Sequence, residues 1–204
     1  MYIYHIPLII YIISSIVLIY LFLKSKKVKT YYLPQISQTG MKNINTYSYW
    51  IYFISFTIIG IITSVYYINH INIKSKPYLT KFIIFLGLIA CLFNIIQGYV
   101  SLDKNKILHE LTSYGGIFLH LIALSIYLYY SPESENVTQD KYINYCIILS
   151  WLSILLLPLF MFLYYYFLKK SKNLSYLSFN LGSIAQRSCV LFLLLSLSIF
   201  EYYN

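Results

Sequence analysis

Six apolar stretches run through this chain of 204 residues, each long enough to cross a bilayer: Tyr2–Leu23, Tyr47–Ile68, Phe82–Leu102, Ile107–Tyr130, Ile143–Leu168 and Tyr176–Tyr203. A helix rising about 1.5 Å per residue needs about 20 such residues to span a hydrocarbon core of ~30 Å. The connections between them are short, so little chain is left for a soluble domain. Charged residues make up 10% of the sequence, against about 25% in a soluble globular domain. The pattern predicts an all-α polytopic membrane protein, a six-transmembrane-helix bundle forming one domain over residues 1–204. The first stretch is too long for a signal-peptide core and has neither a basic run before it nor a small-residue cleavage site after it, which predicts a permanent span.

The formal charge of +9 would point a soluble protein toward nucleic acid. Here fourteen lysines and one arginine fall mostly in short runs between the apolar stretches, as interfacial anchors do, and no nucleic-acid partner is expected. Six crossings put both termini on one side, face A, and connections one, three and five on the other, face B. Face B carries ten lysines and face A four, which taken alone places face B in the cytoplasm. Asn136-Val137-Thr138 on face A and Asn173-Leu174-Ser175 on face B are glycosylation sequons, and whichever is used reports the orientation. The long first connection, Lys24–Thr46, contains Leu33-Pro34-Gln35-Ile36-Ser37-Gln38-Thr39-Gly40. Its Pro and Gly predict an ordered, non-helical loop lying on the membrane surface.

Polar residues inside the stretches are the informative departures, because an ionisable side chain at mid-membrane costs about 2.5–3.5 kcal/mol on insertion scales. Three spans carry them as helical stripes: Asn94, Gln97 and Ser101 on the third, His109, Ser113, Gly116 and His120 on the fourth, and Asn180, Ser183 and Arg187 on the sixth. Spacings of three and four residues place each set on one face. These three spans are therefore expected to meet in the interior, with Asn94, Gln97, His120 and Asn180 as polar glue between helices. The fifth span, with Pro158 as its expected kink, should face lipid more fully. The many tyrosines follow the Ile-, Asn- and Lys-rich composition of AT-rich coding and carry little weight at this stage.

Arg187 stands about 14 Å into its span and leans toward face B, where Glu110 opens the fourth span, so a pair of Arg187 with Glu110 is expected. His109-Glu110 reads either as an ordinary helix start with an acidic first turn or as a site for a lipid headgroup or a proton transfer. Adjacent helix positions diverge by about 100°, so the two side chains cannot form one tight dyad without backbone adjustment. No H-E-x-x-H zinc helix, G-x-S-x-G elbow or phosphate-binding loop occurs. Cys91, Cys146 and Cys189 lie inside apolar stretches without C-x-x-C spacing, which predicts buried thiols, no metal site and no cofactor.

Leu33-Pro34-x-Ile36-Ser37 with Gly40, followed in order by Asn69-His70, Tyr99-Val100-Ser101 and His109-Glu110, resembles a six-span family. That family includes the damage-regulated autophagy modulators, the yeast Sfk proteins and the post-GPI-attachment factor of anchor lipid remodelling. The likeness covers nearly the whole chain and is nearest to the last branch, to which Tyr32-Leu33-Pro34 also points. It implies remodelling of the lipid of GPI anchors, in which a fatty chain is restored to a lyso-intermediate, with membrane lipids and GPI-anchored proteins as partners. The compartment it implies is the Golgi or endoplasmic reticulum, with the lysosome or plasma membrane as the alternative. It further implies His109 as acid or base, Glu110 and Arg187 on phosphate or orienting the histidine, and Pro34, Ile36 and Ser37 shaping a headgroup site on face B. Face B would then be lumenal, against the lysine distribution. The chain departs from the pattern where Lys42-Asn43 replace prolines and where Gln186, before Arg187, replaces an acidic residue. The other branches imply a membrane regulator without catalysis, and the end of the chain at Asn204, close behind the last span, weighs against a tail-bearing scaffold.

Overall fold

The computed structural model describes residue 3 and residues 5–25, 33–130 and 137–203. Asn136, Tyr2 and Tyr32 lie outside the described residues. Six long helices are present: α1 (His5–Lys24), α3 (Thr46–His70), α4 (Pro77–Tyr99), α5 (Lys106–Tyr130), α6 (Val137–Leu168) and α7 (Lys172–Tyr203). A single helical turn, α2 (Ile36–Thr39), interrupts the first connection. All six long helices are long and apolar enough to span a membrane, so the six-helix bundle read from hydropathy is the fold, and the chain is a multi-pass integral membrane protein.

Several helix ends lie outside the apolar windows, because polar turns at the interface stay helical. Pro77 starts α4 five residues before Phe82, as a proline at the first helical position needs no N–H partner. Asn45 caps α3 through the amides of Tyr47 and Ser48, and Asn105 caps α5 through the amide of Leu108 at 3.0 Å. The fourth crossing thus begins one residue before Ile107, while α4 stops at Tyr99 and frees Val100 and Ser101 for a tight turn.

The helices close into a ring in which α1 packs on α3 and α7, α3 on α4, α4 on α5, α5 on α6, and α6 on α7. The turn α2 touches α1, α3 and α7, so it sits among them and does not lie on the membrane surface as the sequence suggested. Burial divides the helices unevenly: 61% of the apolar window of α7 is inside, 50% of α5, 28% of α6 and 22% of α4. The fifth span does face lipid, as expected. The third span exposes more still, and turns only its edge with Asn94 and Gln97 inward.

Close approach between helices rests on glycine. A Cβ on Gly87 of α4 would collide with the ring of Tyr67 on α3, which is fully buried. Gly87→Val is therefore expected to cost about 1–3 kcal/mol, the usual penalty of overpacking, and to lower the thermal unfolding midpoint of the protein in detergent micelles. An unchanged midpoint would show that Tyr67 moves aside freely.

Candidate functional site

The first connection enters the bundle from face B, and three side chains of α7 hold it there. The amide of Leu33 donates to Asn180 Oδ1 at 2.8 Å, the amide of Ile36 donates to Gln186 Oε1 at 3.0 Å, and Arg187 donates to the Pro34 carbonyl at 2.7 Å. Between them, Pro34 has no N–H, and the amide of Gln35 is taken by Gln38 Oε1 at 3.0 Å. Thr39 returns its hydroxyl to the Ile36 carbonyl at 2.6 Å. The segment is thus a re-entrant turn whose exposed backbone groups are met one by one, with Ile36, Ser37 and Thr39 buried. Gly40 lies against the face of Tyr52, where a Cβ would enter the ring.

The expected pair of Arg187 with Glu110 is not formed. Glu110 points outward and makes an i,i+4 pair with Lys106 at 3.8 Å, with both side chains well exposed, a contact worth little in water. Arg187 does lean toward face B, but it meets a backbone carbonyl instead of a carboxylate. Its own carbonyl accepts the Tyr11 hydroxyl at 3.0 Å, which ties α7 to α1.

His109 and Glu110 are not brought together either. His109 is 1% exposed, its Nδ1 bonds the Val100 carbonyl, and Nε2 has no partner. A carbonyl can only accept, so the proton sits on Nδ1, and the ring clasps the α4–α5 turn. His120 is bridged on both sides: Asn94 Nδ2 meets its Nε2 at 3.0 Å, and the Tyr67 hydroxyl meets its Nδ1 at 3.1 Å. The amide donates, so here too Nδ1 carries the proton. Gln97 donates to the Tyr52 hydroxyl at 2.9 Å. Asn94, Gln97 and His120 therefore act as polar glue, and Asn180 holds the re-entrant turn.

Beneath α2 these helices enclose a cavity of about 30 Å³, its wall including Ile36, Thr63, Asn94, Gln97, His120 and Gln186. That is room for a water molecule, not for a lipid headgroup. The residues sequence reasoning missed are Tyr11, Tyr52, Thr63 and Tyr67. On α3 the signal was present as an inward stripe of Tyr52, Phe56, Ile59, Thr63 and Tyr67 at spacings of three and four.

On face B the α4–α5 turn fastens the first connection. Asp103 accepts the amides of Lys42 at 3.4 Å and Asn43 at 2.9 Å. Partial burial works against ionisation of Asp103, but the Asn43 and Lys42 amides hold its carboxyl below the usual carboxylate range. Lys104 lies over the rings of Tyr49 and Tyr99, at 5.5 and 5.2 Å, and the Tyr49 hydroxyl donates to the Tyr99 carbonyl at 3.0 Å. The three cysteines are free and buried, and among the described residues no group of His, Cys, Asp and Glu could hold a metal ion.

Fold and interior together define a multi-pass membrane protein in which polar residues of α7 hold a re-entrant segment and those of α3, α4 and α5 cross-link helices. No family model, curated protein or solved structure matches the chain.

Two outcomes follow. Gln186→Leu leaves the buried Ile36 amide unsatisfied, at a cost of about 1–3 kcal/mol, so a cysteine placed at Ser37 should react faster with a face-B maleimide, whereas Gln186→Glu keeps an acceptor and the protection. Equal labelling rates in all three backgrounds would disprove the latch. Because the Asp103 carboxyl is lowered in the folded state, its contribution is complete above about pH 4 and fades as pH falls through the lowered value. Hydrogen exchange of the Lys42 and Asn43 amides, corrected for intrinsic rates, should accelerate across that range in the wild type and be fast throughout in Asp103→Asn.

Proposed function

We propose that this protein takes part in remodelling the lipid of GPI anchors, and that it supports reacylation of the lyso-anchor instead of performing it with His109 and Glu110. The observation that carries this reading is the re-entrant segment. Leu33, Pro34, Ile36 and Ser37, through which the chain resembles the remodelling factor, are the stretch that Asn180, Gln186 and Arg187 hold inside the membrane. Irregular backbone at membrane depth costs several kcal/mol per unmet polar group, and a fold that supplies partners for it has a use for its shape. Face B, which carries this segment, the Asp103 clasp and the exposed Glu110, is the working side.

A supporting role fits the geometry better than catalysis. His109 is sealed and bonded to Val100, Glu110 turns away toward Lys106, and the cavity below α2 admits no headgroup. The same burial favours the second reading, a membrane regulator without catalysis of the autophagy-modulator or phosphoinositide-kinase-scaffold type. The departures from the family pattern fit their surroundings. The Gln186 amide oxygen accepts from Ile36 as a carboxylate oxygen would, and Lys42 and Asn43 supply amides to Asp103 that prolines lack.

Lipid analysis of GPI-anchored proteins from cells lacking the gene separates the readings. Remodelling predicts accumulation of lyso-anchors in the null, restored by the wild type and, to within about twofold, by the surface variant Glu110→Gln. Failure of Glu110→Gln to restore them, at normal protein level, would return that carboxylate to the chemistry. Normal anchor lipids in the null would leave the regulator.

A further inference from the structure

The first connection and the α4–α5 turn meet on face B, and each brings a lysine to the same aromatic ring. Lys42 Nζ lies 5.9 Å and Lys104 Nζ 5.5 Å from the centre of the Tyr49 ring, and Lys104 Nζ is 5.2 Å from that of Tyr99. Tyr49 is itself buried and bonded through its hydroxyl to the Tyr99 carbonyl at 3.0 Å, so the ring is a fixed support. The Asp103 clasp sets the convergence, since it binds the amides of Lys42 and Asn43 to the turn that carries Lys104. Both lysine side chains are exposed, and among the described residues neither has a carboxylate within ion-pair distance. Even with Asp103 counted, two ammoniums and one carboxylate leave the corner positive. Attraction to the rings accounts for where each ammonium rests, but it does not neutralise two like charges drawn to one place.

Level in the membrane decides which anion this corner meets. Asn45 and Asn105 cap α3 and α5 and so mark where two spans begin. The exposed rings of Tyr47, Trp50 and Tyr99 stand at that end of α3 and α4, as aromatic residues do at headgroup depth. The two ammoniums are thus placed where lipid phosphates lie, and basic residues at this level attract anionic lipid. A zwitterionic headgroup brings its own ammonium, which two lysines repel. A phosphodiester headgroup of net negative charge brings none. We propose that Lys42 and Lys104 together bind the phosphate of an anionic phospholipid at the corner of face B formed by α3, α4 and α5. The site stands apart from the anchor-remodelling reading, since a purified protein can hold such a lipid whatever the anchors of null cells contain.

The test titrates the full chain in detergent micelles with phosphatidylinositol or phosphatidylcholine and counts the lipid retained by native mass spectrometry. Phosphatidylinositol should bind roughly tenfold or more tighter than phosphatidylcholine, the scale of two basic residues near a headgroup. Added salt should narrow that difference. The double variant Lys42→Gln/Lys104→Gln should abolish the preference, and it keeps the Lys42 amide for Asp103. Lys169→Gln/Lys172→Gln removes the same charge from exposed positions on the same face and should leave the preference intact. The comparison of the two lipids in the wild type needs no variant, so it stands even where a double variant fails to fold. Equal binding of the two lipids, or an equal loss of preference in both double variants, would overturn the proposal. Displacement of the lipid by soluble inositol phosphate at the lipid's own concentration would overturn it as well, by making the ligand a free phosphate.

Discussion

Backbone that leaves a helix inside a bilayer has no water to bond, and each unmet N–H or C=O there costs several kcal/mol. Residues 33–36 are such a stretch, and much of the bundle can be understood as the means of satisfying them. Asn180, Gln186 and Arg187 are spread over two turns of α7, so that helix must turn inward, and it is the most buried of the six. With α7 committed, α1 is tied to it through Tyr11, and α3 offers the ring of Tyr52 on which Gly40 rests. The Asp103 clasp closes the far end of the segment at the membrane surface, where the carboxylate is still solvated enough to stay charged.

The same requirement explains why the two span histidines are sealed. A helix-poor turn at Val100 leaves a carbonyl without an intrahelical donor, and His109 supplies one; His120 links α3 to α4 and α5 through Tyr67 and Asn94. Each bond is modest by itself, but its loss would strand a partner in a medium with no substitute, so these residues act as cross-links. Lipid lacks the hydrophobic pressure that drives soluble helices together, and α4 accordingly holds its place mainly by its polar edge and by small residues such as Gly87 that admit the α3 rings.

How much of this the sequence disclosed follows from which physical signal each part left. Hydropathy reports burial in lipid, so the six crossings were legible, while helix ends such as Pro77 and Lys172, which lie at the interface, were not. Helical spacing reports a shared face, so the stripes on α4, α5 and α7 were legible and do mark the interior. Partner identity was harder. Charge alone suggested Glu110 for Arg187, but charge says nothing of a backbone carbonyl that becomes available only when a loop enters the membrane. Tyr52 and Tyr67 were hidden by composition: a tyrosine in a tyrosine-rich chain is uninformative until its hydroxyl is seen to meet Gln97 or His120.

Lys42, Asn43 and Gln186 serve the first connection through hydrogen bonds and not through charge. What the structure requires of them is hydrogen-bonding capacity: amides at 42 and 43 for Asp103, and an oxygen at 186 for Ile36. A carboxamide meets the second need without adding a charge. It also leaves the neighbouring Arg187 with no carboxylate to neutralise it from the adjacent position. With no charge added at 186, the Arg187 guanidinium keeps its place on the Pro34 carbonyl, and all three contacts of α7 to the segment run from side chain to backbone.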